Sequence, residues 1–130
     1  MTHSPIPEDL RRFILTSIPS VPFLEAMLLL RADPTQQWES AMLASRLYIR
    51  ERVASQLLAD LCTAGIARPC DPPATHCHRY EPASEALRDR IDALADLYAR
   101  QLVDVTNLIH SSFERQAQQF ADAFRLRKDE

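Results

Sequence analysis

Apolar residues recur at helical spacing near the start of the chain and predict a first amphipathic helix over residues 6–18. Pro7 suits the first turn of a helix, and Glu8 and Asp9 are favoured at its positive N-terminal end. Pro19 ends the segment. The residues on the shared apolar face are Leu10, Phe13, Ile14 and Ile18. A face this apolar is expected to pack on the chain's own core or on a second subunit.

A second helix, running to about Ala32, is apolar enough to lie at the centre of a domain. Ser20 can cap its N-terminus, Pro22 lies in its first turn, and Asp33-Pro34 ends it. Its main apolar residues are Leu24, Met27, Leu28 and Leu30. We therefore expect this helix to be the central element of the core.

Two further helices joined by a tight turn are predicted next. The first begins at Glu39 or Ser40, the turn lies at Tyr48-Ile49, and the second helix covers residues 50–64. The apolar stripes are Met42, Leu43 and Leu47 on the first helix, and Val53, Leu57, Leu58 and Leu61 on the second. The polar residues opposite the second stripe are expected to face solvent.

The only glycine of the chain follows the last apolar position of that helix. Gly65 is expected to adopt the left-handed conformation of a helix C-cap, which glycine adopts at little cost. Two short extended runs, residues 66–68 and 77–80, flank a loop whose paired prolines exclude helix. This loop is predicted to form a wing over residues 69–77. Residues 20–82 therefore have the element order of a winged helix-turn-helix core.

After the wing, the pattern predicts the longest helix, over residues 84–110. Its apolar residues recur every three or four positions, close to a heptad seam. They are Leu87, Ile91, Leu94, Tyr98, Leu102, Val105 and Ile109. Such a helix would be about 40 Å long, more than the core of a small domain covers, so we expect the seam to pair with a second copy of the chain.

A last helix is predicted from the capping-box pattern Ser111-x-x-Glu114. Its apolar face contains Phe113, Ala117, Phe120, Ala121 and Phe124. Together the two helices make residues 84–127 a C-terminal dimerisation region.

The core positions around residues 38–66 match the pattern of a known family. The matching residues are Trp38 at the first short strand, Leu43, Ala44 and Leu47 in the first helix of the pair, and Val53, Leu57, Leu58, Leu61, Gly65 and Ile66 beyond it. This pattern resembles the winged-helix transcription regulators of the MarR and PadR type. The resemblance implies a mainly α fold with a small β-wing and a regulator that binds DNA; it identifies no ligand.

Composition bounds the class of protein. The chain has 130 residues, the size of one domain, and none of its apolar runs approaches the roughly 20 residues of a membrane span. Its N-terminus lacks the features of a signal peptide. We therefore expect a cytoplasmic protein, in which Cys62, Cys70 and Cys77 would be reduced thiols.

Charge gives a mixed prediction for DNA binding. Residues 20–82 contain six arginines and seven acidic residues, a net charge of −1, whereas DNA-binding proteins usually present a basic face. Three of the arginines nevertheless cluster at the start of helix 50–64, the end that enters the major groove in helix-turn-helix complexes. The candidate DNA contacts are Arg46, Arg50, Arg52, Ser55, Gln56 and Arg79. The alternative is that these residues form an ordinary solvated surface.

The wing also contains residue types that bind metals. Cys70, His76, Cys77 and His78 lie close together in sequence, but there is no C-x2-C pair, and strand alternation sends Cys77 and His78 to opposite faces. We therefore predict no metal site or cofactor. A redox-active thiol would need a lowered pKa, and Cys70, close to Arg68, is the one candidate.

No catalytic motif is present, because the chain contains no Gly-rich phosphate loop, no H-E-x-x-H and no G-x-S-x-G. The sequence therefore predicts no catalytic residues. The resemblance implies a DNA-binding transcription regulator with helix 50–64 in the major groove and the wing on the backbone, and the apolar seam predicts that it is a homodimer. One alternative is a winged-helix adaptor that binds another protein. Another is a ligand-responsive repressor, which would need a pocket between the winged-helix core and the C-terminal helices.

Overall fold

The structure, a computed structural model, describes residues 5–71, 76–111 and 121. Its elements in chain order are α1 (Glu8–Ser17), α2 (Val21–Ala32), α3 (Ser40–Leu47), α4 (Glu51–Thr63), β1 (Ala67–Pro69), β2 (His78–Tyr80) and α5 (Glu85–Arg100). Residues 102–111 are also helical. The two strands pair antiparallel, with Ala67 opposite Tyr80 and Pro69 opposite His78. The predicted mainly α fold with a small β-wing is confirmed.

Helix α1 packs into the chain's own core. All four residues of its predicted apolar face are buried, and the helix lies against α5. Pro7 is its N-cap residue, and Glu8 and Asp9 lie in its first turn, as the sequence indicates. Of the two packing partners that the sequence leaves open, the apolar face therefore takes the intrachain one.

Helix α2 is the central element. Ser20 caps it, because its Oγ accepts a hydrogen bond of 3.2 Å from the Phe23 N–H. Leu24, Met27 and Leu30 are fully buried, whereas Leu28 is only partly buried. The helix contacts α3, α4 and β2. The wing strands and the helix pair are therefore both held against one buried helix.

The buried face of α4 differs from the predicted one at a single position. Val53 is 44% exposed, whereas Ala54 is fully buried beside Leu57, Leu58 and Leu61. At 100° per residue, Val53 lies about 90° from the centre of that stripe. The apolar character of valine suggested burial, but the helix orientation places the smaller alanine against the core.

Gly65 closes α4 in a Schellman motif. The Ile66 N–H donates to the Leu61 carbonyl at 2.9 Å, and the Gly65 N–H donates to the Cys62 carbonyl at 3.0 Å. Gly65 has φ +78°, the left-handed value that this motif requires. Ile66 and Leu61 are both buried, which supplies the apolar contact that accompanies the motif. The prediction of a glycine C-cap is confirmed.

Replacing Gly65 with alanine should therefore destabilise the fold. A side chain in the left-handed region costs about 1–2 kcal/mol, and a new Cβ would lie 3.4 Å from the Ala83 Cβ. Urea unfolding should show this loss for Gly65→Ala and a smaller one for Gly65→Asn, because asparagine tolerates the conformation better. Equal stability of Gly65→Ala and the parent chain would contradict the assignment.

The long C-terminal helix is broken earlier than predicted. Instead of continuing to residue 110, α5 ends at Arg100, and Gln101 leaves helical geometry with φ −134° and ψ 54°. A new helix covers residues 102–111, and its Val105 N–H bonds to the Gln101 carbonyl at 3.1 Å. The bend returns Val105 and Ile109 to the core, where both are buried. A straight helix would have carried them past it. The predicted last helix lies outside the described residues, apart from residues 111 and 121.

No single helix in the described ranges is long and apolar enough to cross a membrane. Helices α1 and α2 pass that test only when taken together, and they are bent by 108° relative to each other.

Candidate nucleic-acid interface

The turn between α3 and α4 places three arginines at one end of the helix pair. Tyr48 ends α3 in the left-handed conformation, φ 56°, and the Ile49 N–H donates to the Ala44 carbonyl at 3.1 Å. The three arginines, Arg46, Arg50 and Arg52, lie in the last turn of α3, at the N-cap of α4 and in its first turn, and all three are exposed. The predicted cluster therefore forms, although it also includes the carboxylate of Glu51.

Trp38 links this cluster to the wing. The Arg46 guanidinium lies over its indole ring, 5.8 Å from the centroid, a cation–π contact. The Trp38 backbone pairs with that of His78 in both directions, at 2.7 Å and 2.8 Å, as an isolated β-bridge. Trp38 itself is buried. The helix pair and the wing are therefore held in a defined relative position.

The polar residues predicted on α4 face solvent. Ser55 and Gln56 are exposed, and the Gln56 amide donates to the Asp60 carboxylate at 2.9 Å, one turn further along the helix. An exposed hydrogen bond of this kind exchanges readily with water, so the amide can be recruited by another acceptor. Asp60 nevertheless adds negative charge to this face.

Arg79 does not join the arginine cluster. It lies half-buried on β2, with its Nη2 3.8 Å from Glu81 Oε2 and 3.9 Å from Asp71 Oδ2. Arg68, directly opposite on β1, also pairs with Glu81, at 3.2 Å. Residues 79 and 81 share a strand face at a spacing of two, so the sequence contained a signal of this pairing. The positive charge of Arg79 is therefore partly compensated within the wing.

The cysteines correct one expectation. Cys70 and Cys77 form a disulfide, with Cα atoms 5.4 Å apart, whereas reduced thiols were expected. The strand register explains the pairing: it places Pro69 opposite His78, and the next step outward places Cys70 opposite Cys77, whose carbonyl accepts the Cys70 N–H at 2.9 Å. A disulfide that closes so short a loop contributes about 2–3 kcal/mol. It joins the two ends of the wing loop.

Two titratable side chains near the wing, His78 and Cys62, are uncharged at neutral pH. Burial lowers the pKa of His78, so its imidazole is neutral at pH 7. Burial also raises the pKa of Cys62, which keeps this free thiol protonated. The residues placed by the structure include no group of three His, Cys, Asp or Glu side chains that could hold a metal ion. Cys70 and Cys77, as a disulfide, offer no thiolate ligand.

Tyr48 is a further candidate contact, which the sequence predicted only as part of a turn. Its side chain is 95% exposed and lies between Arg46 and Arg50 in the chain. A non-glycine residue in the left-handed region is uncommon and marks a position whose conformation is imposed by its surroundings. The sequence did contain a signal for this contact, because Tyr48 lies in the turn of the helix pair, two residues from an arginine on each side.

The predicted dimerisation residues are mostly used within one chain. Ile91, Leu94, Val105 and Ile109 are completely or almost completely buried, and Leu87 is partly buried. Tyr98 is also partly buried; desolvation and the nearby Glu25 carboxylate raise its pKa, and its hydroxyl interacts with Thr106. Leu102, 53% exposed, is the predicted residue most available to a partner, and its neighbour Val103 is 65% exposed. Pairing of two chains through these residues stays a prediction.

No protein-family model matches the chain, and no curated protein matches it. Among solved structures, it is similar to a multiple antibiotic-resistance repressor (MarR) from Listeria monocytogenes 4b F2365. The two chains are 18% identical and superpose with a TM-score of 0.50 over 92% of this chain and 81% of the other. The fold of this chain is therefore the winged-helix fold of MarR-like regulators.

Proposed function

We propose that the chain binds duplex DNA as a homodimer and regulates transcription. The observation that supports this most directly is the exposed group of Arg46, Arg50 and Arg52 at the N-terminal end of α4, on a fold shared with a repressor. In helix-turn-helix complexes this end of the second helix approaches the base edges. Helix α4 enters the major groove in this proposal, and Ser55 and Gln56 supply the side chains for base recognition.

The wing contributes to binding through position more than through charge. The disulfide joins the two ends of the wing loop, and the bridge from Trp38 to His78 ties the wing to the segment that precedes α3. Because Arg79 is paired with Asp71 and Glu81, its contribution to phosphate binding is small until those pairs open. Affinity therefore depends mainly on the arginines at the turn, with Tyr48 placed to donate its hydroxyl to a phosphate.

A symmetric dimer gives the proposal a geometric consequence. Two copies of α4 related by a two-fold axis require a palindromic site, with half-sites about one helical turn apart. Leu102 and Val103, exposed at the bend after α5, are the apolar side chains we assign to the contact between copies.

The test is a binding titration of the purified chain against random-sequence duplex DNA over a series of salt concentrations. We expect affinity to fall steeply as salt rises, because bound arginines release counterions from the phosphates. Absence of binding at low salt by a folded chain would refute the proposal. The remaining alternative would then be an adaptor that binds another protein. The exposed apolar residues 102 and 103 would form its binding surface.

A further inference from the structure

A second polar site lies away from the arginine cluster, where the end of α2, strand β2 and the start of α5 meet. Arg31, Pro34, Tyr80, Arg88 and Asp92 line a cleft of about 370 Å³ here. This volume lies at the small end of the range, roughly 300–1,000 Å³, that small-molecule sites occupy. The cleft is therefore large enough for a compact ligand only.

One of the residues that line the cleft, Tyr80, has a buried polar atom without a partner among the described residues. Tyr80 is 9% exposed, and its hydroxyl is buried with no hydrogen-bond partner within residues 5–71 and 76–111. Buried hydroxyls are nearly always hydrogen-bonded, and leaving one unpaired costs free energy that a ligand acceptor would recover. Burial raises the pKa of Tyr80, so the hydroxyl keeps its proton and acts as a donor at neutral pH.

The rim of the cleft has one uncompensated positive charge. Arg31 pairs with Asp92, Nε to Oδ1 at 2.8 Å, and both side chains are substantially exposed. Arg88 is exposed and forms no ion pair in the part of the chain that the structure describes. All three charges act on the Tyr80 hydroxyl: Asp92 raises its pKa, and the two arginines lower it. The three charged side chains therefore line the same cleft as Tyr80 and lie near its hydroxyl.

We propose that this cleft is a binding site for a small oxyanion, a carboxylate or a phosphate monoester. One oxygen accepts from the Tyr80 hydroxyl, and the charge lies between Arg31 and Arg88. The anion displaces Asp92 from Arg31, which costs little because exposed ion pairs contribute little. Arginine can exchange one anion for another in this way, because its planar guanidinium group forms bidentate hydrogen bonds with both carboxylates and phosphates. The proposal is independent of DNA binding.

The test is an NMR titration of the intact chain with sodium phosphate, sodium acetate and glycerol 2-phosphate. Ionic strength is held constant with sodium chloride, and glycerol and acetamide serve as neutral analogues. We expect saturable shifts at the backbone amides of residues 79–81 and 88–92 with the anions alone. Whichever of acetate and glycerol 2-phosphate binds with the higher affinity shows whether the site prefers a carboxylate or a phosphate monoester. If none of the three anions gives a saturable shift, the proposal is wrong.

Three substitutions give signed expectations. Arg88→Ala should weaken binding about fivefold or more, and Asp92→Asn should strengthen it about threefold by removing the competing carboxylate. Arg90→Ala is the matched control, because Arg90 is an exposed arginine on the same helix that does not line the cleft. Equal effects of Arg88→Ala and Arg90→Ala would show that only general charge attracts the anion, and would overturn the site.

Tyr80→Phe separates a binding role from a structural one. Removing an unpaired buried hydroxyl should leave the melting temperature unchanged or raise it, whereas anion affinity should fall. A drop in melting temperature together with unchanged affinity would assign the hydroxyl to the fold and contradict the proposal.

Discussion

Replacing Arg50 and Arg52 together with alanine is expected to lower affinity for duplex DNA about ten- to hundredfold at moderate salt. Both side chains are exposed at the start of α4 and form no ion pair within the described ranges, so both are free to bind phosphates. Removing each arginine–phosphate pair should also reduce the slope of log affinity against log salt by about 1. Fluorescence anisotropy with a labelled duplex over a salt series measures both quantities.

A double substitution of Arg11 and Arg12 with alanine is the matched control. It removes the same charge from exposed positions on α1, a helix outside the pair. We expect a small decrease in affinity and an almost unchanged salt slope. If the control weakens binding as much as the α4 variant does, binding depends on overall charge, and the assignment of α4 as the recognition helix is wrong.

The elements that could be predicted from the sequence are those determined by local chemistry. Ser20 caps α2 and Gly65 closes α4 because both use their nearest backbone groups. The turn at Tyr48 follows from the end of one apolar stripe and the start of the next. Such signals place the helices and the wing, and with them the exposed position of the arginines.

Other features depend on contacts between distant segments. The bend at Gln101 occurs without proline or glycine, because it is favoured by the burial of Val105 and Ile109 against helices earlier in the chain. The partial neutralisation of Arg79 depends on Asp71 reaching it from the other side of the wing. Periodicity along one segment cannot report either contact. The arginine cluster was predictable, and the spacing of residues 79 and 81 indicated one ion pair of the wing, but the contribution of Asp71 was not predictable.

Two residues of the predicted dimer seam differ in burial, and substitutions at them should therefore have different effects. Ile91→Asp is expected to destabilise the chain by at least about 4 kcal/mol, because it buries a carboxylate without a partner in an apolar core. Ile91 is fully buried within a single chain, so this destabilisation requires no dimer. Thermal unfolding followed by circular dichroism should show a folded fraction that is strongly reduced at room temperature. A folded, monomeric Ile91→Asp chain would show instead that the seam opens to pair with a second copy.

Leu102→Asp should weaken the dimer and leave the stability of the single chain unchanged. Because this side chain is more than half exposed, the monomeric variant should keep the parent melting transition, whereas its dimer should dissociate at a higher protein concentration than the parent dimer. Sedimentation velocity over a concentration series measures that shift. Ala93→Asp is the matched control, since it adds the same charge at an exposed position on α5. If Leu102→Asp and Ala93→Asp dissociate at the same concentration as the parent chain, residue 102 lies outside the contact between copies, and the assignment of that contact to the bend after α5 is wrong.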